Sequence, residues 1–531
     1  MTTTRRIGAA AALGGMTVAA ALSAGLPGAA ADELSQLRAN QQILQQELAN
    51  LEQQAALGAK PVAPGAPTIA GSFPRSFLIP GTNTSIQIGG YVNLDAAYWI
   101  NGGNPNGNSA AAPPLTGAPV VAGLPLRFTG TGLQAPPPFN TRKRGNYFSM
   151  SANESRFFIE TRTPTAWGEA LTHLELDMFG CAGAGGLDCS NLNATTNGNI
   201  PRLRLAYGAL GPFLAGQDFV PTLDLDASPT IFDFGGDVGI LGFGRAPQIR
   251  YTGHLPNGLS YIIAAVDPLT GTFTPLGALE NDSAGEGLAG TNTAPTGLAV
   301  NPTRSKIPDG NFVLRLERPW GSLQLSTLIR DLNLADGRFI NKDYIGYGGG
   351  FGVHVIPFPN SRDNFGLNAF AGQGLGHYAA PTGTATNTWY GLATNYGGPA
   401  VGGYGTCNAN TPACLAIDSK ANAARVLAKT IPSWGIEGNY QHWWALHWRS
   451  TISAGVMHQD IPTTLIGSAS SLVNANPLNF NKELITAHAN IIWSPVAFID
   501  TGFEYTYGHR HTIYNQTGNE NVLDFTFRVR F

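Results

Sequence analysis

The feature that most limits what this chain can become is an alternation of period two that recurs along most of its length. From Ser85 to Ile100 one parity carries Ile86, Ile88, Val92, Leu94, Ala96 and Tyr98, and the other carries Gln87, Asn93 and Asp95. The last residues repeat the pattern, with Leu523, Phe525, Phe527, Val529 and Phe531 on one face and Asp524, Thr526, Arg528 and Arg530 on the other. Successive strand side chains point to opposite faces, so each such segment is a strand with one apolar and one polar face. Sixteen segments of this kind can be placed, near 84–100, 145–163, 168–180, 200–208, 211–219, 245–254, 258–267, 310–318, 321–332, 343–356, 363–377, 430–442, 444–459, 479–494, 496–510 and 520–531. No stretch after the N-terminal leader reaches the roughly 18 uninterrupted apolar residues of a helical membrane span.

The connections decide between a sandwich and a barrel. Long ones, such as 101–144, 220–244 and 379–429, alternate with short turns such as Pro164-Thr165, Pro256-Asn257-Gly258 and Ser494-Pro495. A sandwich would mix loop lengths at both ends, whereas an outer-membrane barrel has short periplasmic turns, long outer loops and an even strand number. The expected fold is therefore all-β, a 16-stranded antiparallel transmembrane β-barrel. Composition agrees: charged residues are 12% of the 531, against roughly 25% in soluble domains. A net charge of -3 carries no polyanion signature, so nucleic acid is not expected as a partner.

Ahead of the barrel, Arg5 and Arg6 precede an Ala-rich stretch, and Ala29 and Ala31 form an A-x-A site; residues 1–31 are read as a secretory signal peptide. Residues 32–57 read as a periplasmic coiled-coil helix, because Leu34, Leu37, Gln41, Leu44, Leu48 and Leu51 fall at a and d heptad positions. A lone amphipathic helix lying on the barrel or on peptidoglycan is the alternative. A Pro/Gly/Ala linker at 58–72 follows, and the barrel domain takes 73–531.

Candidate chemistry is sparse. Cys181, Cys189, Cys407 and Cys414 form two near-neighbour pairs in long loops, expected as disulfides in an oxidising compartment. Their spacing does not suit zinc, and neither a metal nor another cofactor is expected. There is no G-x-S-x-G or H-E-x-x-H, so a non-enzymatic reading stands ahead of an outer-membrane hydrolase. The informative residues are charges of polar parity. Arg156, Arg162, Arg202, Arg204, Arg250, Arg315, Arg330, Arg449, Arg528 and Arg530 stand against acids such as Asp95, Glu175, Asp177 and Glu504. Charge on the lipid face is costly, so this set is read as facing a water-filled lumen. Asp224, Asp226, Asp233 and Asp237 lie in the third long loop, which Arg245 closes; folded inward, the loop would set its acids against Arg202, Arg204 and Arg250. Tyr98, Trp99, Trp443, Trp448, Trp493 and other aromatics near strand ends are expected at the membrane edges.

In order along the chain, SFLIPGTNTSIQIGGYVNLDA (Ser76 to Ala96), SRFFIETRTPT (Ser155 to Thr165), RLRLAYGALGPFLAGQ (Arg202 to Gln217), FGRAPQIRYTG (Phe243 to Gly253), HANIIWSPV (His488 to Val496) and DTGFEYTYGHR (Asp500 to Arg510) resemble the DcaP-like trimeric porins of Gram-negative outer membranes. The resemblance implies a homotrimer of pores, in contact with outer-membrane lipid and lipopolysaccharide, that takes up small anionic solutes such as dicarboxylates. The alternative is a closed structural or binding barrel, an adhesin or a cell-wall tether. Non-reducing peptide mapping is expected to find Cys181 joined to Cys189 and Cys407 to Cys414, each short ring stabilising by about 2 to 3 kcal/mol; free thiols or crossed pairs would refute it.

Overall fold

The computed structural model describes residues 70–101, 146–178, 201–233, 236–242, 244–268, 273–274, 303–335, 341–358, 361–379, 389–391, 428–460, 481–512 and 517–531. The chain divides into two units, Met1–Thr68 with Phe358–Ser361, and Ile69–Pro357 with Arg362–Phe531. The signal peptide, the coiled coil, nearly all of the linker and all four cysteines lie outside the described residues.

The second unit is one antiparallel sheet of sixteen strands closed on itself. In chain order these are β1 (Ser85–Asn101), β2 (in two pieces, Tyr147–Ser151 and Arg156–Thr165), β3 (Gly168–Asp177) and β4 (Arg202–Leu210). Next come β5 (Phe213–Phe219), β6 (Arg245–Leu255), β7 (Leu259–Val266), β8 (Asp309–Arg318), β9 (Gly321–Ala335) and β10 (Asn341–Val355). The rest are β11 (Asn364–Gln373), β12 (Pro432–Ala445), β13 (Trp448–Gln459), β14 (Asn481–Val496), β15 (Ile499–Thr512) and β16 (Thr517–Arg530). Each pairs with the next, and β16 returns to β1, from Tyr91↔Arg530 to Asn101↔Asn521. Hydrocarbon offers no partner to an exposed N–H or C=O, so a sheet can span a membrane only when its two edges meet. Every strand falls within a few residues of its sequence-derived position.

Burial is inverted relative to a soluble protein. Large apolar side chains such as Ile88, Val92, Ile249, Ile263 and Ile452 are exposed on the outside, while Asn93, Gln324, Thr451, Thr486 and Glu504 are buried on the inside. The outer face suits lipid. Trp448 and Trp493 stack at 5.8 Å between ring centroids at the short-turn end, as edge aromatics should. Two aromatics depart from that expectation. Trp99 shares the inward parity of Asn93 and Asp95 and is 1% exposed, packed with Ala97 and Val522. Trp443 shares the inward parity of Glu437, Asn439 and Gln441 and offers its ring to Arg362 and Arg449, at 4.1 and 5.3 Å, just before a bulge that interrupts the strand's register.

The seam between first and last strands is stitched by polar side chains as well as backbone. Between the two pieces of β2, residues 152–155 leave the ladder and Glu154 turns inward, 2.5 Å from Arg528 Nη2. Arg528 Nε also donates to Asn93 Oδ1 at 2.9 Å, and the Thr526 hydroxyl donates to Asp95 at 2.6 Å. Outside the barrel ladder, Phe273–Thr274, Trp389–Gly391 and Ala428–Thr430 form a small three-stranded sheet among the long loops.

The orientation of the faces yields a test. Ile249→Arg, on an outward position 65% exposed, is expected to destabilise the barrel by about 2 to 4 kcal/mol in lipid vesicles if it sits at mid-bilayer. Denaturant unfolding in vesicles checks it, and a loss well below 1 kcal/mol would place Ile249 away from lipid.

Candidate functional site

The inside of the barrel is shaped by the third long connection, residues 220–244 between β5 and β6. Its neck is closed by the Val220 N–H donating to Gly244 O at 3.3 Å. From there the loop runs along the opposite wall. Gln324 of β9 donates to the carbonyls of Pro221 and Thr222. Arg315 of β8 binds Asp224 at 3.0 Å and also Asp226. The amides of Asn368 (β11) and Asn439 (β12) both donate to Ala227 O, at 3.0 and 2.8 Å, while Glu437 holds their second hydrogens. Asn490 of β14 donates to Thr230 O, and Glu504 of β15 accepts the backbone N–H groups of Phe232 and Asp233 at 2.7 and 3.0 Å. The return leg is held by Thr486, which accepts from Val238 N–H and donates to Asp237, and by His488, 3.2 Å from Asp237 and 3.4 Å from Glu504.

Such close seating needs space in the wall, and glycine provides it. A Cβ at Gly455 (β13) would collide with Val238 O, and one at Gly435 (β12) would come within 2.8 Å of Gly239 Cα. Gly239 itself has φ +96, and a Cβ there would strike the Ile436 carbonyl. The loop and the wall thus approach backbone to backbone, which only residues without side chains permit.

The start of the sixth long connection, which leads from β11 to β12, joins the third. A short 3-10 turn, Gly376–Tyr378, carries Leu375, Tyr378 and Ala379 inward, all at most 1% exposed. Tyr378 O accepts the Gly242 N–H at 2.6 Å. Burial, with the charge of Asp309 behind it, pushes the Tyr378 phenol well above its ordinary pKa, so it stays neutral. Leu375 and Tyr378 pack with Val238, Leu241, Phe370 and Met457 in an apolar core inside the barrel. Inward side chains of β8 to β15 are consequently mostly buried, whereas on β2 to β6 Arg156, Arg162, Arg202 and Arg250 keep partial access to water although Asp177, Arg204 and Gln248 beside them are buried.

The partly open wall is the arginine-bearing one. Arg156 lies 3.5 Å from Glu175. Arg202 and Arg204 reach Asp177 at 2.6 and 3.0 Å, and Arg204 also holds Glu175 at 2.7 Å. Arg162 pairs with Glu160 and Arg250 with Asp218, at 2.7 and 2.9 Å. These are charge-assisted contacts, within β2 for Arg162 and between neighbouring strands for the others. Arg245 differs: among the described residues it has no carboxylate partner, and its guanidinium sits 5.7 Å from the centre of the Phe219 ring.

Several expectations are corrected by this geometry. The loop does turn into the lumen, but its acids meet Arg315 and His488 rather than Arg202, Arg204 and Arg250, which are engaged by acids of their own wall. Asp224 and Asp237 are buried at 3% and 1% exposure and do not line water, whereas Asp226 is open to it. Asp233 donates its backbone N–H to Glu504 of the opposite wall at 3.0 Å. Arg330, read from parity as water-lining, is 1% exposed and held by Asp309 at 2.9 Å. Asn368, Glu437, Asn439, Thr486 and Asn490 escaped sequence reasoning, although their inward parity was visible; a polar inward residue looks the same whether it meets water or a loop.

The chain has informative relatives. The sequence profile of the DcaP outer membrane protein family matches residues 134–268 and 425–531, which hold β2 to β7 and β12 to β16. Among solved structures, the outer membrane channel DcaP of Acinetobacter baumannii is 17% identical, with a TM-score of 0.55 over 84% of this chain and 97% of that one. An anion-selective porin from Comamonas acidovorans is 9% identical, with a TM-score of 0.44 over 84% and 100%. No curated protein matches in sequence.

Replacing Gly455 with Val is expected to lift the third loop from its seat. The folded variant should then be cut within 224–237 by an Asp-specific endoprotease under conditions that spare the original protein. Equal resistance of the two would show that the glycine is not needed for seating.

Proposed function

We infer that this chain, whose barrel carries the DcaP outer membrane protein signature and takes the fold of a DcaP channel, works as a passive porin preferring small anions, dicarboxylates among them. It is an outer-membrane porin-like barrel; the solute preference and a homotrimer assembled in lipid and lipopolysaccharide, with its coiled coil in the periplasm, belong to this reading. No cofactor or chemical step enters it.

The observation that carries the anion preference is Arg245. The other arginines of the same wall spend their charge on Glu160, Glu175, Asp177 and Asp218. The loop's acids spend theirs on Arg315 and His488. A guanidinium without a carboxylate partner among the described residues, at the loop's exit and beside Arg202 and Arg204, leaves the local field positive. One charge-assisted contact is worth about 1.5 to 3 kcal/mol, enough to favour an anion's entry. Because Arg162, Arg202 and Arg250 keep partial exposure along the wall, a carboxylate can pass from one to the next and no single site traps it. A solute with two carboxylates would span two of these positions.

A closed structural barrel is the second reading, favoured by the apolar core that occupies part of the lumen. Planar bilayers separate the two, since a closed barrel gives no ohmic current steps. In a salt gradient, Arg245→Ser is expected to move the zero-current potential toward cation preference, and to slow dicarboxylate uptake into proteoliposomes more than uptake of a neutral sugar. Equal loss for both solutes would mean that the arginine shapes the pore without selecting.

A further inference from the structure

Arg330 has the parity of a channel-lining residue on β9, yet it reaches no channel water. Its Nε donates to Asp309 Oδ2 at 2.9 Å. Nη1 donates to Leu375 O at 2.9 Å and, more weakly, to Gly374 O at 3.4 Å, while Nη2 donates to Pro268 O at 2.7 Å. Its Cζ lies 5.4 Å from the centre of the Tyr378 ring. One planar fork therefore binds the start of β8, the root of the connection after β7 and the root of the connection after β11. A guanidinium's rigid set of donors can serve all three at once; an ammonium cannot.

The bound roots are connected to the pore. Tyr378 follows Leu375 by three residues, its hydroxyl accepts from Asn311 Nδ2 at 3.2 Å, and its carbonyl accepts the Gly242 N–H at 2.6 Å. Gly242 stands two residues before Gly244, which closes the neck of the third loop, and Arg245 comes next. From Arg330 to Gly242 the route is a short series of buried hydrogen bonds and packed side chains, and Gly244 and Arg245 follow close behind in sequence.

We propose that Arg330 is a positioning residue for charge selectivity: touching no solute, it fixes the root of the sixth long connection, which fixes the exit of the third loop and so the place of Arg245 in the channel. This rests on the anion reading of Arg245 and assigns to a residue outside the channel a share in the preference.

The test uses the full-length refolded protein in planar bilayers. Arg330→Lys keeps the charge beside Asp309 but loses the carbonyl contacts; Tyr378→Ala keeps both members of the Arg330–Asp309 pair and the carbonyl of residue 378 but removes the buried ring that packs this root against the third loop. Both are expected to move the zero-current potential in the direction of Arg245→Ser and, unlike Arg245→Ser, to add current noise from an unsettled loop exit. A purely structural role would lower the unfolding temperature and leave the potential of the open channel unchanged, and that result in either variant would overturn the proposal. Should Arg330→Lys fail to fold, Tyr378→Ala decides alone. If Arg245→Ser itself leaves the potential unmoved, the anion reading fails first and this proposal falls with it; a shift in Arg245→Ser with none in the other two refutes the positioning role alone.

Discussion

Backbone hydrogen bonding in a medium without water governs everything else in this structure. An open sheet edge in hydrocarbon would leave a row of N–H and C=O groups without partners, so β16 must return to β1, as it does from Tyr91↔Arg530 to Asn101↔Asn521. Closure then fixes the meaning of the pleat. One parity faces lipid and is apolar; the other faces a shared interior and is polar. Sixteen strands enclose more space than inward side chains can fill, and the chain uses part of that space for its own loops.

The interior is asymmetric as a result. The third loop lies along β8 to β15, held by side-chain amides, carboxylates and one histidine, and the root of the sixth long connection completes an apolar core behind it. Charged groups buried there are nearly all paired, as their cost of leaving water requires. What remains open is bounded by β2 to β6, where arginines and acids alternate and Arg245 has no carboxylate partner among the described residues.

The strand framework was legible because a period of two survives any uncertainty about partners: β1 and β16 announce themselves from Ile86 to Tyr98 and from Leu523 to Phe531. The alternation of long and short connections gave the barrel's two ends in the same way. Parity says only that a residue points inward. It cannot tell Arg162, which keeps contact with water, from Arg330, which does not. That distinction is made by a loop distant in sequence, and so is the choice of Arg315 and His488 as partners for the loop's acids. Trp99 shows the same limit, since an aromatic near a strand end can belong to the membrane edge or to the interior. The glycines of β10 to β13 were visible in the composition, but their use as a bed for another segment depends on that segment's path.

The seam also has a bearing on time. Arg528 bonds to Asn93, and Thr526 to Asp95, across more than four hundred residues of chain, and Arg528 bonds to Glu154 across 374. Contacts so remote in sequence form late, because the intervening chain must first be ordered. A sheet built up in chain order contains them only once its last strand is in place. These few polar bonds are therefore made only by the finished ring, and a chain stalled with one strand missing exposes an unpaired arginine and an unpaired edge together. The last step of folding is thus the one that hides both, so completion is all-or-none.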